Sequence, residues 1–302
     1  MAVVHDLGQR LRQVVGGMVA NPTQTWPSAP AQVPFAQTAP QRAQVIAVAA
    51  QKGGVGKTTT AVHLAAGLAL NHGLSVLLVD LDAQGHVASS LRAHVRATAE
   101  QSLTQSLLGL DPDILPATLP TTIAGLHVTG ADKQLASAEA QLASRMGREM
   151  ILARALRSAR GGYDVIVLDC PPNLGLLTLN ALYAADHLLV PCDLSVLALE
   201  GVDDVMRTLQ NLQLMFGRAP ALLGLLHTRV DRRNPKQNAA IRRALQQSYQ
   251  GLSLQTEIAT NTALPGAQLA GQTVFASSPE STGARDYSAL ASEVFDRVLK
   301  VR

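Results

Sequence analysis

Two lysines, Lys52 and Lys57, lie within a glycine-rich decapeptide, Gln51-Lys52-Gly53-Gly54-Val55-Gly56-Lys57-Thr58-Thr59-Thr60. It follows the apolar run Val45-Ile46-Ala47-Val48-Ala49-Ala50 and precedes a helix-like stretch from Thr58 to Leu70. Strand, glycine turn and helix start, in that order, suit the binding of phosphate. Glycines let successive backbone N–H groups curl around phosphate oxygens without Cβ clashes. The helix N-terminus adds partial positive charge. Lys57 is placed to reach β- and γ-phosphates and the Thr58 hydroxyl to ligate Mg²⁺. The ending Gly56-Lys57-Thr58 has the usual P-loop spacing, but Gln51 stands where the first glycine normally falls, and Lys52 is an additional cation.

Two further runs end in acids. Leu74 to Val79 is apolar but for Ser75 and is followed by Asp80 and Asp82; Val165 to Leu168 is apolar and is followed by Asp169. Uninterrupted apolar strands of this kind are buried on both faces of a parallel sheet, whose strand C-termini are where ligands bind. Strand alternation predicts that Asp80 and Asp82 share one side. Asp169 has the position of an acid that holds Mg²⁺ through water. The plain alternative for each acid is a cap on the next helix.

These residues require a rigid frame. Candidate strands are 44–50, 74–80, 126–130, 164–169, 187–191, 222–228 and 254–258, alternating with amphipathic stretches. The pattern predicts an α/β fold, a mostly parallel doubly wound sheet with helices on both faces. The expected organisation is a short amphipathic segment over 1–20, a Pro/Gln/Ala-rich linker over 21–44 and a P-loop domain over 45–302. In the first segment Leu7, Leu11, Val14, Val15 and Met18 recur at helical spacing. Gly16-Gly17 and only two arginines favour docking on the body or a partner over a membrane or DNA contact.

At 47% hydrophobic and 16% charged residues, the 302-residue chain is globular. Aromatics are 3%, so Ala, Leu and Val must build the core. No apolar run approaches the ~20 residues needed to span a bilayer, and the first twenty residues lack a compact signal-type apolar region. Only Cys170 and Cys192 are present, which suits a reducing compartment better than a disulfide framework. Net charge is +3, unevenly spread. Arg218, Arg229, Arg232, Arg233, Lys236, Arg242 and Arg243 face a single acid, Asp231, in one stretch. Cations without interleaved aromatics suit nucleic-acid phosphates rather than bases, the alternative being a solvated helix face.

The string KGGVGKTT resembles the deviant Walker A motif of the ParA/MinD family of P-loop ATPases. DLDAQGH is similar to that family's DxDPQGN, with Ala83 and His86 as departures, and DCPPNLGLLTLNAL to its DCPPSLGLLTxNAL, with Asn173 as a departure. Val190-Pro191, Ala198-Leu199-Glu200-Gly201 and the closing stretch through Ser281, Tyr287 and Glu293 extend the likeness from about Gln44 to the C-terminus, nearest to the ParA/Soj partition type. The resemblance implies ATP and Mg²⁺ as cofactors and an ATP-dependent homodimer in which Lys52 enters the partner's nucleotide site and Gly53 lies where the two loops approach. It implies a nucleotide cradle of Lys52, Gly53, Gly54, Val55, Gly56, Lys57, Thr58 and Thr59. Lys52, Lys57 and Asp82 are the implied catalytic residues, with Thr58, Asp80, Asp82 and Asp169 around the metal. It further implies non-specific DNA binding through Arg229, Arg232, Arg233, Lys236, Arg242 and Arg243, a ParB-like activator, and a bacterial cytoplasmic, nucleoid-associated location. A membrane partner is not expected, because the last residues read as a core helix rather than a membrane helix. A MinD-like membrane positioner, a ParA-like carrier of another cargo and an iron–sulfur relative bridging a cluster through its cysteines are the competing readings. The family's IPRNVRLSEAPSxG segment is altered here, with Ala259, Thr260 and Ala263 at the proline and both arginines.

Overall fold

The computed structural model describes residues 43–130, 132–195 and 198–300. Segment 1–20, and 21–44 up to Arg42, lie outside the described residues; Gln44, expected to close the linker, is the first residue of a strand. The strands are β1 (Gln44–Val48), β2 (Val76–Asp80), β3 (Thr118–Pro120), β4 (Leu126–Thr129), β5 (Val165–Asp169), β6 (His187–Asp193), β7 (Ala221–Val230) and β8 (Ser253–Ala259). The helices are α1 (Lys57–His72), α2 (His86–Ser90), α3 (Leu103–Leu108), α4 (Leu135–Leu142), α5 (Ile151–Ala155), α6 (Leu176–Ala184), α7 (Ala198–Phe216), α8 (Pro235–Ser248), α9 (Ala263–Ala270), α10 (Val274–Ser277) and α11 (Thr282–Val298).

One eight-stranded sheet runs in the order β3-β4-β2-β5-β1-β6-β7-β8. Every neighbouring pair is parallel except β3 with β4. All seven candidate strands are present. The unanticipated β3 is three residues long and ends in Pro120, too short for alternation to register and suited to a sheet edge.

Alternation along the strands divides the core into two layers. Val45, Ala47, Leu77, Val79, Ile166 and Leu168 face the side covered by α5, α6 and α7. Ile46, Val48, Val76, Leu78, Val165 and Val167 face α1 and α11. The second layer is close-packed because α1 presents mainly Ala, Leu, Val and Thr to it. A Cβ on Gly67 would lie 2.9 Å from the Cβ of Ala291 on α11, so this crossing needs glycine. Leu290, Ala291, Val294 and Val298 of α11 are buried, as expected for a core helix. Among the described residues no helix is long and apolar enough to cross a membrane.

One polar side chain is sealed into that layer. His63 of α1 lies 4.8 Å, ring to ring, from Tyr287 and has its Nδ1 2.8 Å from the Thr59 carbonyl. Its Nε2 accepts the Val274 N–H at 3.0 Å. A backbone N–H can only donate, so Nε2 is bare and the proton sits on Nδ1; the ring is neutral. Burial pushes its pKa down to about 4. Because the folded value lies below that of the unfolded chain, the stabilisation is complete above about pH 6.5 and is lost as pH falls toward 4. Linkage gives roughly 3 kcal/mol over that window. Urea midpoints measured from pH 7 to pH 4 should therefore fall more steeply for the parent than for His63→Asn; parallel curves would remove His63 as the cause.

Candidate active site

The loop after β1 crosses the C-terminal edge of the sheet. Gly54 and Gly56 have φ of 75° and 87°, a left-handed conformation in which a side chain is strained. These two turns bring the chain into α1 directly at Lys57. The Lys57 side chain is buried, and its Nζ donates back to the Lys52 carbonyl at 3.3 Å. Burial lowers its pKa, opposed by Asp169 and Asp82 nearby. The loop is braced from β7: Thr228 Oγ1 donates to the Val55 carbonyl at 2.8 Å, and Arg229 Nη1 to the Gly54 carbonyl at 2.9 Å. Thr59 and Thr60 are tied down at their outer ends, Thr59 through its carbonyl to His63 and Thr60 through its hydroxyl to Tyr287.

Parallel register assembles the acids. Asp80 of β2 is the lateral partner of Asp169 of β5, which is also the partner of Val48, the last residue of β1. Both carboxylates are buried. Asp80 is held by the backbone, its oxygens accepting from Asp82 N at 3.1 Å and Val87 N at 3.3 Å. Burial pushes its pKa up to about 7 against those bonds. β2 ends at Asp80, so Asp82 lies in the following turn and not on the strand face expected for it. Asp82 is half-buried and accepts from Gln84 N at 3.0 Å.

Asp169 differs from both. It is fully buried, and neither carboxylate oxygen has a hydrogen-bond partner. Burial, and then the Asp80 charge, drive its pKa well up; Thr58 and Lys57 act the other way. A buried carboxylate left unpaired costs free energy unless a cation meets it. No cluster of three His, Cys, Asp or Glu residues arranged to hold a metal exists among the described residues. The unpaired Asp169 carboxylate beside Thr58 offers the hard oxygen chemistry that suits Mg²⁺, an ion that binds through one or two protein oxygens and keeps water and phosphate ligands.

Lys52 is not free in the single chain. Its Nζ lies 2.8 Å from Asp193 Oδ2 and 3.1 Å from Ser195 Oγ, partners the sequence reading missed because they lie at the end of β6. Gly53 is exposed, has no positive φ, and would meet no atom within 4 Å if given a Cβ.

The basic run divides. Arg218 precedes β7 and pairs with Asp186 at 3.2 Å, at the opposite end of that strand from Arg229 and about 30 Å away. Arg242 is bound through two nitrogens to Glu257, at 2.6 and 2.7 Å. Arg233 forks onto Asp231 but is solvent-exposed. Arg232, Lys236 and Arg243 are exposed on the loop and first turns of α8.

Cys170 and Cys192 are both buried. Cys170 Sγ donates toward the Leu168 carbonyl, and Cys192 Sγ lies 3.7 Å from His227 Nδ1. Burial pushes both thiols up, Cys192 to about 12. Neither is presented as a surface thiolate that a second subunit could share, contrary to the iron–sulfur reading.

Residues 43–219 match the family described as an AAA domain. The sporulation initiation inhibitor protein Soj of Bacillus subtilis is 38% identical over 253 residues, covering 83% of this chain and 98% of that protein. The chromosome-partitioning ATPase Soj of Thermus thermophilus is 40% identical over 255 residues, covering 84% and 96%. Among solved structures, a cobyrinic acid a,c-diamide synthase from Mycobacterium smegmatis, with bound ADP and magnesium, superimposes with a TM-score of 0.73 at 35% identity, covering 86% of this chain and 97% of that one.

The unpaired carboxylate makes a stability prediction. Asp169→Asn removes a buried ionisable group whose charge Thr58 and Lys57 only partly offset, so the ligand-free protein should become more stable, by about 2 kcal/mol. The same variant should lose the rise in melting temperature that magnesium with nucleotide produces. A destabilised ligand-free variant, or a full ligand-induced rise, would show that Asp169 is not a cation site.

Proposed function

Because the chain belongs to the ParA/MinD family of P-loop ATPases, we propose that it is an ATP-driven positioning switch of the ParA type. It hydrolyses ATP to ADP and phosphate with Mg²⁺, pairs as an ATP-sandwich homodimer, binds DNA non-specifically while paired, and releases it after hydrolysis stimulated by a ParB-like partner. The observation that carries the ATPase reading is the orphaned Asp169 carboxylate beside Thr58 and Lys57, behind a loop of left-handed glycines.

In this reading the N–H groups from Gly53 to Thr59 and the Lys57 ammonium hold the β- and γ-phosphates. Thr58 and Asp169 hold Mg²⁺, which when bound neutralises charge on the phosphate oxygens. Asp80 keeps the turn to Asp82 in place through its bond to the Asp82 N–H. Asp82 orients the attacking water; its second oxygen meets no donor among the described residues. Lys52 completes the partner's site. The exposed Gly53 supports this, because nothing among the described residues explains a glycine there. Gly53→Val should therefore fold normally and bind an ATP analogue with near-parental affinity, yet remain monomeric in light scattering. A normal analogue-dependent dimer would sink the sandwich.

For DNA, the cations without an internal ion pair among the described residues are Arg232, Lys236 and Arg243, joined by Arg233, which is forked onto Asp231 but exposed. Arg232, Arg233 and Lys236 lie at the N-terminus of α8, whose dipole also favours phosphate, and Arg243 lies further along the helix. One such patch binds weakly, and a rigid dimer carries two. Arg229 and Arg242 have structural employment and contribute less. Replacing Arg232 and Arg233 together by Glu should abolish ATP-dependent binding to random duplex while ATP affinity is kept. Parental binding should weaken steeply with salt, each phosphate contact releasing about one counterion. Random-duplex binding unchanged in the double variant would identify the patch as a solvated face, and binding to anionic liposomes in its place would favour the MinD-like reading.

A further inference from the structure

α8 carries basic side chains on a helix with little apolar surface to hold it. It packs at the β8 end of the sheet, where Arg242 meets Glu257. Its buried residues are Asn238, Ile241 and Leu245, so the inward seam contains only two aliphatic side chains. A globular helix ordinarily buries three or four apolar residues for every two turns. A seam this narrow fixes how far the helix stands from the sheet but opposes rolling about the helix axis only weakly.

Polar contacts supply the rest, and their positions differ. Asn238 Nδ2 donates to the Asp231 carbonyl at 2.9 Å, and the Tyr249 hydroxyl, just past the last turn, donates to Asp203 of α7. Both residues lie in line with the seam. Arg242 lies to one side of it. Its Nε and Nη2 meet the two Glu257 oxygens at 2.6 and 2.7 Å, and a planar two-bond fork fixes orientation as well as distance.

Glu257 stands on a strand that is itself pinned. β8 is the edge of the sheet, and acids of α11 take its N–H groups: Gln255 and Thr256 donate to Glu293 at 2.9 and 2.8 Å, and Ala259 donates to Asp286 at 2.9 Å. On the β7 side Glu257 is the lateral partner of His227, a buried imidazole whose pKa burial pushes down. Being neutral, with Nε2 3.1 Å from Ser253 Oγ, His227 does not compete with Arg242 for the carboxylate.

We propose that Glu257 is a positioning residue for the basic surface: through Arg242 it fixes the roll of α8, and so the direction in which Lys236 and Arg243 face. This rests on the DNA reading above. Lys236 and Arg243 are separated by about two helical turns, so they share a face; that face is opposite the seam and both are exposed. Any roll of α8 turns the two cations together away from a phosphate backbone that the loop cations still meet.

Two substitutions separate aim from charge. Glu257→Gln adds one positive charge to this surface, and Arg242→Lys leaves the charge unchanged while losing the fork. Charge alone therefore predicts tighter binding of random duplex for the first and parental binding for the second. With the full chain and a slowly hydrolysed ATP analogue, both should instead bind about fivefold more weakly, the size of effect that a partly exposed ion pair supports. Analogue affinity and analogue-dependent pairing of Glu257→Gln should stay parental, which a general loss of fold would not allow. In the nucleotide-free protein, hydrogen exchange at the amides of 238–245 should be several-fold faster in both variants, with those of α1 unchanged. Parental exchange in α8 would overturn the positioning role whatever the DNA result. Glu257→Gln binding duplex as tightly as a binding-competent parent, or more tightly, would overturn it and leave the DNA reading intact. A parent that never binds random duplex would overturn both.

Discussion

Burial of the Asp169 carboxylate at the centre of the sheet is the constraint around which the rest is arranged. β5 lies between β1 and β2, so its C-terminal residue is flanked by the start of the glycine loop on one side and by Asp80 on the other. Such a position excludes water and withholds hydrogen bonds, which raises the cost of the charge and with it the affinity for a cation. Parallel pairing enforces this, because all neighbouring strand ends open to the same edge. Helices on both faces then seal the site from every direction but the loop.

The surrounding packing follows from that demand for rigidity. α1 carries both Lys57 and Thr58 in its first turn, and its remaining length is clamped against α11 by small side chains and a glycine crossing. His63 ties the second turn of α1 to the first residue of α10, and Tyr287 meets Thr60 from α11. Phosphate ligands at the head of the helix are therefore fixed by apolar contacts far from the edge. A poorly held helix would spend part of its binding energy on ordering itself.

Much of this was legible in the sequence because it depends on local signals. Long apolar runs closed by acids identified β2 and β5 together with Asp80 and Asp169, and the glycine spacing identified the loop. What was not legible depends on pairing between distant strands. Lys52 meets Asp193 across 141 residues, and Arg229 meets Gly54 across 175. Neither follows from periodicity, since each needs the register of β6 and β7. The basic run looked continuous from Arg218 to Arg243, but β7 passes through it and carries its two ends to opposite edges of the sheet. Strand alternation likewise grouped Asp80 with Asp82, although the strand stops between them.

The contrast between the two kinds of contact has a functional logic. The sheet and α1 are held by close-packed apolar contacts and a few buried hydrogen bonds, and such cores have discrete arrangements rather than soft ones. Everything holding the outer half of the nucleotide loop is a polar contact with an exchangeable partner: Thr228 on Val55, Arg229 on Gly54, Asp193 and Ser195 on Lys52. Those bonds cost little to trade when charge arrives, because each donor can turn to a phosphate or to a neighbouring carboxylate. All of them come from β6 and β7, the strands that lead directly to α7 and to the exposed arginines before α8. The two strand ends thus join the loop to the basic surface without passing through the core, which is the physical requirement of the switch proposed above.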